Sequence, residues 1–137
     1  MNKDQCENFY TEIVNKFQLK QNSYFSDDFH ITRNDAARQL IFKQSTELEA
    51  KFFVKYDRFI PVGWYGFELI GAPEVWFDVI GELLDAVLQD KAEGDIQILQ
   101  IKIKFGGIRI YIGGLNDDEL DLVEKLTPLL FDERLIY

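Results

Sequence analysis

The chain reads as an α+β domain, an antiparallel sheet of about four strands with three packed helices. Three patterns predict it. Apolar residues recur every three or four positions near the N-terminus, over residues 74–88 and after Asn116, the period of an amphipathic helix. They recur at every second position over 48–56 and 101–112, the period of a half-buried strand. Turn-forming residues split off a partner strand for each alternating stretch, so the strands pair as hairpins. A length of 137 residues fits one domain, and 47% hydrophobic residues with twelve Phe supply enough apolar surface for a packed core.

The first helix runs from about Lys3 to Lys20, with Cys6, Phe9, Tyr10, Ile13, Val14 and Phe17 on one stripe. Residues 21–35 are rich in Asn, Ser and Asp and read as a loop, with a short extended piece at Tyr24-Phe25. Over 36–57, Leu48, Ala50, Phe52, Val54 and Tyr56 alternate with Glu47, Glu49, Lys51, Lys55 and Asp57, which predicts a strand. Leu40 and Phe42 lie on the strand before it, with Gln44-Ser45-Thr46 turning between. A helix capped at Thr32 or Thr46 competes, because Leu48, Phe52 and Tyr56 also sit four apart.

Arg58 to Gly71 is an aromatic connection with Phe59, Trp64, Tyr65 and Phe67 interleaved among Pro61, Gly63 and Gly66, and its rings are expected to cover the sheet edge or the core. Pro73 opens the next helix, where a missing N–H costs nothing, and Glu74 complements the helix dipole. That helix fades by Asp90, with Gly94 beyond. Ile96 to Gly113 is a hairpin. A two-residue turn at Gly106-Gly107 pairs Phe105 with Ile108, Ile103 with Ile110 and Ile101 with Ile112 on one side. Lys102, Lys104, Arg109 and Tyr111 fall on the other side, and the alternation slips near Leu99, which predicts a bulge. In the last helix Asn116 caps and Glu119 closes a capping box, with Leu115 and Leu120 as a hydrophobic staple. Leu120, Val123, Leu126 and Leu130 face the core, and Pro128 ends the helix near Thr127. Phe131 to Tyr137 is a tail whose aromatic end can be tied down.

Charge is the main functional signal. Glu74, Asp78, Glu82 and Asp85 share one narrow helical face with no Lys or Arg between them, opposite Val75, Trp76, Val79, Ile80, Leu83, Leu84, Val87 and Leu88. Like charges four apart destabilise a helix by roughly 0.2–0.5 kcal/mol per pair. Such a ridge either keeps the chain soluble or meets a basic partner. The net charge of −9 repels nucleic acid and anionic membranes and favours encounter with a basic protein. No apolar run reaches membrane-spanning length, and no signal peptide is readable. Cys6 is the only cysteine, which suits a reducing cytoplasm.

Catalytic chemistry has no comparable signal. His30 is the single histidine and Cys6 lies in a different element, so neither a zinc cluster nor a nucleophile–histidine pair can be placed. Asp27-Asp28 and Asn116-Asp117-Asp118-Glu119 lack the alternating calcium-loop pattern, and Lys102 to Arg109 lacks the phosphate-loop spacing. Twenty-four acids guarantee carboxylate pairs by chance, so an acid/base pair is not specified. No catalytic residue, cofactor or metal ligand is therefore assigned. The cluster Lys102, Lys104 and Arg109 either forms a small basic face for an anionic group or is neutralised by acids of a neighbouring element; the net charge makes internal neutralisation the expectation.

Gly63-Trp64-Tyr65, an amphipathic helix, and the string from Gln100 to Tyr111 together resemble a group of small bacterial and phage proteins with a G-W-[YF] element and a Q-[IV]-K-x-K-F-G-G-[IL]-R-[FI]-Y hairpin. The resemblance covers roughly residues 60–113 and implies a fold element rather than an activity. Many members carry extra cysteine pairs, which this chain lacks.

Two functional classes follow. The first is a non-catalytic inhibitor, an immunity protein or antitoxin that masks a basic toxin such as a nuclease. Glu74, Asp78, Glu82 and Asp85, with Asp117, Asp118 and Asp121 as a second patch, would meet its cations, and Trp64 or Tyr65 would anchor the interface. A phage-encoded DNA mimic is a version of this. The second is a small enzyme or ligand-binding protein with a pocket between the aromatic connection 59–67 and the 102–111 hairpin. Oligomeric state is not readable from the sequence.

Overall fold

The computed structural model describes residues 1–20, 35–132 and 135. The elements in order are α1 (Lys3–Phe17), α2 (Asp35–Tyr56), a 3-10 turn (Asp57–Phe59), β1 (Gly66–Glu68), α3 (Glu74–Leu88), β2 (Gln97–Lys104), β3 (Gly107–Gly113), α4 (Asp117–Leu126) and a second 3-10 turn (Thr127–Leu129). The α+β class holds. Among the described residues the sheet has three strands in the order β1-β2-β3, and β1 runs parallel to β2 while β3 runs antiparallel to it. The expected four-stranded antiparallel sheet is therefore, among the described residues, a three-stranded mixed one, with four α-helices rather than three. Parallel neighbours need a crossover, and α3 supplies it between β1 and β2. The predicted loop at 21–35, the extended piece at Tyr24-Phe25, the cap at Thr32, Asp27-Asp28 and His30 lie outside the described residues, apart from Asp35, which opens α2.

The strands expected over 36–57 are one helix of 22 residues, α2. Its inner face follows the helical period through Ser45, Leu48, Glu49, Phe52, Phe53 and Tyr56, all buried or half-buried. Two of those positions are polar, the outer face exposes Leu40 and Val54, and Phe42, in line with the inner stripe, is exposed as well. That mixture blurs the helical stripe and makes period-two alternation look cleaner than it is. Tertiary contacts decide the matter. Phe52 packs on Phe67 at 5.2 Å, on Phe77 at 5.3 Å and on Tyr56 at 5.6 Å between ring centroids, and Phe53 meets Phe67 at 5.3 Å. Ser45 and Glu49 are polar because they have partners. The Gly71 N–H donates to Ser45 Oγ at 2.7 Å and the Leu69 N–H donates to Glu49 Oε2 at 2.7 Å. Together they satisfy backbone donors of the segment that leads from β1 into α3.

The aromatic connection contains β1, which the sequence did not announce. Phe67 is buried at its centre, as is Phe59, but Trp64 and Tyr65 are 54% and 68% exposed rather than covering the core.

The hairpin has a different register from the expected one. Lys104 pairs with Gly107, Ile103 with Ile108, Lys102 with Arg109 and Ile101 with Ile110, so the turn is Phe105-Gly106. Both turn residues have positive φ, 52° and 79°, as a type I′ connection requires. A slip of two residues keeps every isoleucine on the same face, so hydrophobic alternation could not separate the two registers. Gly107 becomes a strand residue that bridges Phe131 of the tail. The slip near Leu99 is present, between Ile98 and Gln100.

Helix α4 has the predicted capping box at Asn116 and Glu119. Val123, Leu126 and Leu130 are buried as expected, but Leu120 is exposed and Leu122 takes its place in the core. The cause is Glu119, which is fully buried and paired, so positions three, four and seven beyond it face inward and Leu120 faces out. Leu115 packs on the core. Helix α1 matches its stripe, and α3 buries every predicted apolar position except half-buried Val75, with Phe77 in addition.

Candidate functional site

Helix α3 turns its apolar side into the core, where Trp76, Ile80 and Leu84 are fully buried, so the opposite side must face out. Glu74, Asp78 and Asp85 are exposed and Glu82 is half-buried. The four predicted acids thus do share one outward ridge.

Their partners divide them. Lys16, at the end of α1, forms an ion pair with Glu82. Lys55, at the end of α2, reaches Asp85 at 3.0 Å, and the Tyr56 hydroxyl donates to the same carboxylate at 2.7 Å. Burial, reinforced by the hydrogen bond to Asp85 and that carboxylate's negative charge, holds the Tyr56 phenol protonated far above its ordinary range. Glu74 and Asp78 form no ion pair among the described residues. Partial burial pushes the Asp78 carboxyl above its usual value; the like charges of Glu74 and Glu82 push the same way, and Lys16 opposes them. Half of the ridge is neutralised internally and half is not. An open groove of about 450 Å³ runs along it between α1, α2 and α3, with Phe17 and Phe52 among its lining residues.

The second predicted patch lies at the start of α4. Asp117 is exposed and unpaired among the described residues, while Asp121 pairs with Lys125 at 2.9 Å. Asp118 and Asp121 line a groove of about 530 Å³ between α1 and α4, where Lys3 and Lys125 stand among them and Cys6 lines the same groove. Burial, the largest influence, raises the Cys6 thiol above its ordinary value, so it is a poor nucleophile.

Glu119 carries no sequence signal beyond its capping role, yet three donors converge on its carboxylate. Lys91 Nζ donates to its two oxygens at 2.9 and 2.8 Å, the Met1 ammonium at 3.1 Å, and the Asn116 N–H at 3.1 Å. Burial alone would raise its protonation range, but these donors outweigh that and hold it below the usual glutamate value. Its capping-box position explains one donor, but the other two elements that converge on it could not be read from the chain.

No acid among the described residues supplies the neutralisation expected for the basic residues of the hairpin. Lys102, Lys104 and Arg109 form no ion pair among the described residues. Glu68 sits beside Lys102 in the sheet register without pairing with it. The groove of about 240 Å³ flanking the hairpin is walled by Phe105, Ile108 and Arg109 on one side and Thr127, Pro128 and Phe131 on the other, and the aromatic connection does not contribute to it.

Among the described residues no group of three or more His, Cys, Asp or Glu is placed to hold a metal ion, and no helix is long and apolar enough to cross a membrane. Searches against protein families, curated proteins and solved structures find no match for this chain. Geometry and charge carry the functional reading.

Proposed function

We propose that this chain is a non-catalytic, acidic protein-binding inhibitor, an immunity protein or antitoxin in kind, that neutralises a basic toxin such as a nuclease. One observation supports the reading above the rest. Glu74 and Asp78 stand exposed and unpaired among the described residues on a helix whose other side is locked into the core. Folding leaves their mutual repulsion in place, and a cationic surface would relieve it. The internal pairs at Glu82 and Asp85 move the expected centre of contact to the N-terminal half of α3. Asp117, exposed at the start of α4, is the secondary contact.

The test is a pull-down from the native host, then association kinetics of any complex against salt. Changing Glu74→Lys with Asp78→Lys is expected to slow association by on the order of tenfold at low salt and to flatten the salt dependence. Glu82→Gln, which removes an internally paired charge, should change the on-rate much less. An on-rate indifferent to the double change would end the docking role of α3.

A further inference from the structure

The hairpin carries a charge opposite to that of the molecule. Between Asp95 and Asp117 there is no acid, while Lys102, Lys104 and Arg109 fall there, in a chain of net charge −9. The observed register sets Arg109 directly across from Lys102, and Lys104 two residues along the same strand, so all three share the face that turns away from the buried isoleucines. None of them forms an ion pair among the described residues. Tyr111 is exposed on that face beside Arg109.

The turn adds a second, independent sign. Phe105 is 69% exposed and holds φ at +52°, in the left-handed region that suits Gly or Asn and strains an aromatic residue. It buries little in return, and its ring lies 5.5 Å from the Lys104 ammonium. An aromatic side chain kept at strained backbone and in solvent is better suited to contact with another molecule than to stability of this one.

We infer that the outer face of the β2–β3 hairpin is a docking surface for an acidic, extended protein segment, held by Lys102, Lys104 and Arg109 with Phe105 and Tyr111 as aromatic contacts. Spacing favours this occupant. Alternate residues of a strand stand about 7 Å apart, so Lys102 and Lys104 match carboxylates on alternate residues of an extended peptide. Beyond the Gly107–Phe131 bridge the outer edge of β3 pairs with no other strand among the described residues, and such an edge is what strand addition uses. A nucleic acid fits less well. It brings a charge at every nucleotide, three cations neutralise few of them, and the rest of the molecule repels the remainder. A second copy of this chain meets the same net repulsion. This surface is independent of the α3 reading and can fail or succeed without it.

The probe is a short fluorescein-labelled peptide alternating Glu and Thr, followed by anisotropy at low and physiological salt, with amide shift mapping on isotope-labelled full chain. The peptide should bind at low salt and shift residues 102–111 rather than 74–85. Changing Lys102→Gln, Lys104→Gln and Arg109→Gln together should weaken it by about tenfold, from three exposed pairs of modest strength. Phe105→Asn should weaken binding several-fold while raising the melting temperature by a few degrees, because Asn-Gly suits the turn. That pairing of opposite effects excludes misfolding as the cause. No binding by the wild-type chain, equal binding by the variants, tighter binding of a single-stranded oligothymidine, or shifts that track protein concentration through self-association would each overturn the proposal.

Discussion

Replacing Glu119 by Gln removes one negative charge from a site with zero exposure and leaves two cations facing a neutral amide. Breaking a buried ion pair by deleting one partner costs about 3–5 kcal/mol, since the other charge stays behind uncompensated. Lys91 keeps 22% of its side-chain exposure and Met1 15%, so neither cation's surroundings are wholly dry, which places the expected loss near the lower end. A loss of about 3 kcal/mol is a large share of the roughly 5–15 kcal/mol available to a domain. It corresponds to a drop of roughly 10 °C in melting temperature for a chain of this size. The assay is urea and thermal unfolding followed by circular dichroism. The pH dependence supplies a second reading. The folded carboxyl titrates below its ordinary value of 4.5. Its stabilisation is therefore complete above that value and is lost as pH falls through the folded pKa. The gap between wild type and Glu119→Gln should be constant from neutral pH down to the ordinary glutamate range and then close. A melting temperature unchanged by the substitution, or a gap that widens in acid, would refute the idea that this cluster ties the N-terminus and Lys91 to α4.

Glu49 should behave in the opposite way. Burial raises its carboxyl more than the Leu69 and Ile70 amides lower it, so its charged form is a cost that disappears as pH falls through the folded pKa. Glu49→Gln, which keeps an acceptor for Leu69, should be neutral or slightly stabilising at pH 7 by chemical unfolding, whereas Glu49→Ala, which strands that donor, should destabilise. Gly114 has φ +93°, and a Cβ there would stand 2.0 Å from the Asp95 carbonyl oxygen, so Gly114→Ala should cost at least about 1–3 kcal/mol in the same assay.

Legibility of the fold followed the strength of local pattern. Helices α1, α3 and α4 were visible because a strong stripe or a capping box marks each one. Helix α2 was hidden because two of its inward positions, Ser45 and Glu49, are polar for a reason found 20 or more residues away, in the amides of Leu69 and Gly71. Strand β1 is three residues long, too short to show any period, and exists because β2 offers it an edge. The hairpin was legible but its register was not, since Phe105-Gly106 and Gly106-Gly107 turns preserve the same buried face. For the site, sequence placed the α3 acids correctly on one outward ridge. It could not show that Lys16 and Lys55, contributed by the ends of two other helices, would reach Glu82 and Asp85.

The division of that ridge has a physical logic. An acid in the first turn of a helix is favoured by the dipole, and an acid in the last turn is disfavoured. Glu74 is in the first turn of α3 and stands without an ion-pair partner. Asp85 is in the last turn and receives both a lysine and a tyrosine hydroxyl; Glu82, the next acid toward that end, receives the other lysine. Asp78 has neither the dipole nor an ion pair, and its protonation range is raised. Its charge is thus a burden on the free protein. Asp78→Asn should raise stability modestly, by roughly 0.4–1 kcal/mol if both like-charge neighbours contribute at typical helical strength. The sign with pH is fixed by the raised folded pKa. The wild type should gain stability as pH falls through that value, and the advantage of Asp78→Asn should shrink with it. If the same substitution also slows capture of the basic partner, stability and binding are opposed at this position, as expected of a residue kept for contact. If Asp78→Asn instead lowers stability at neutral pH, the ridge is not under repulsion and the reason for seeking a cationic surface there is gone.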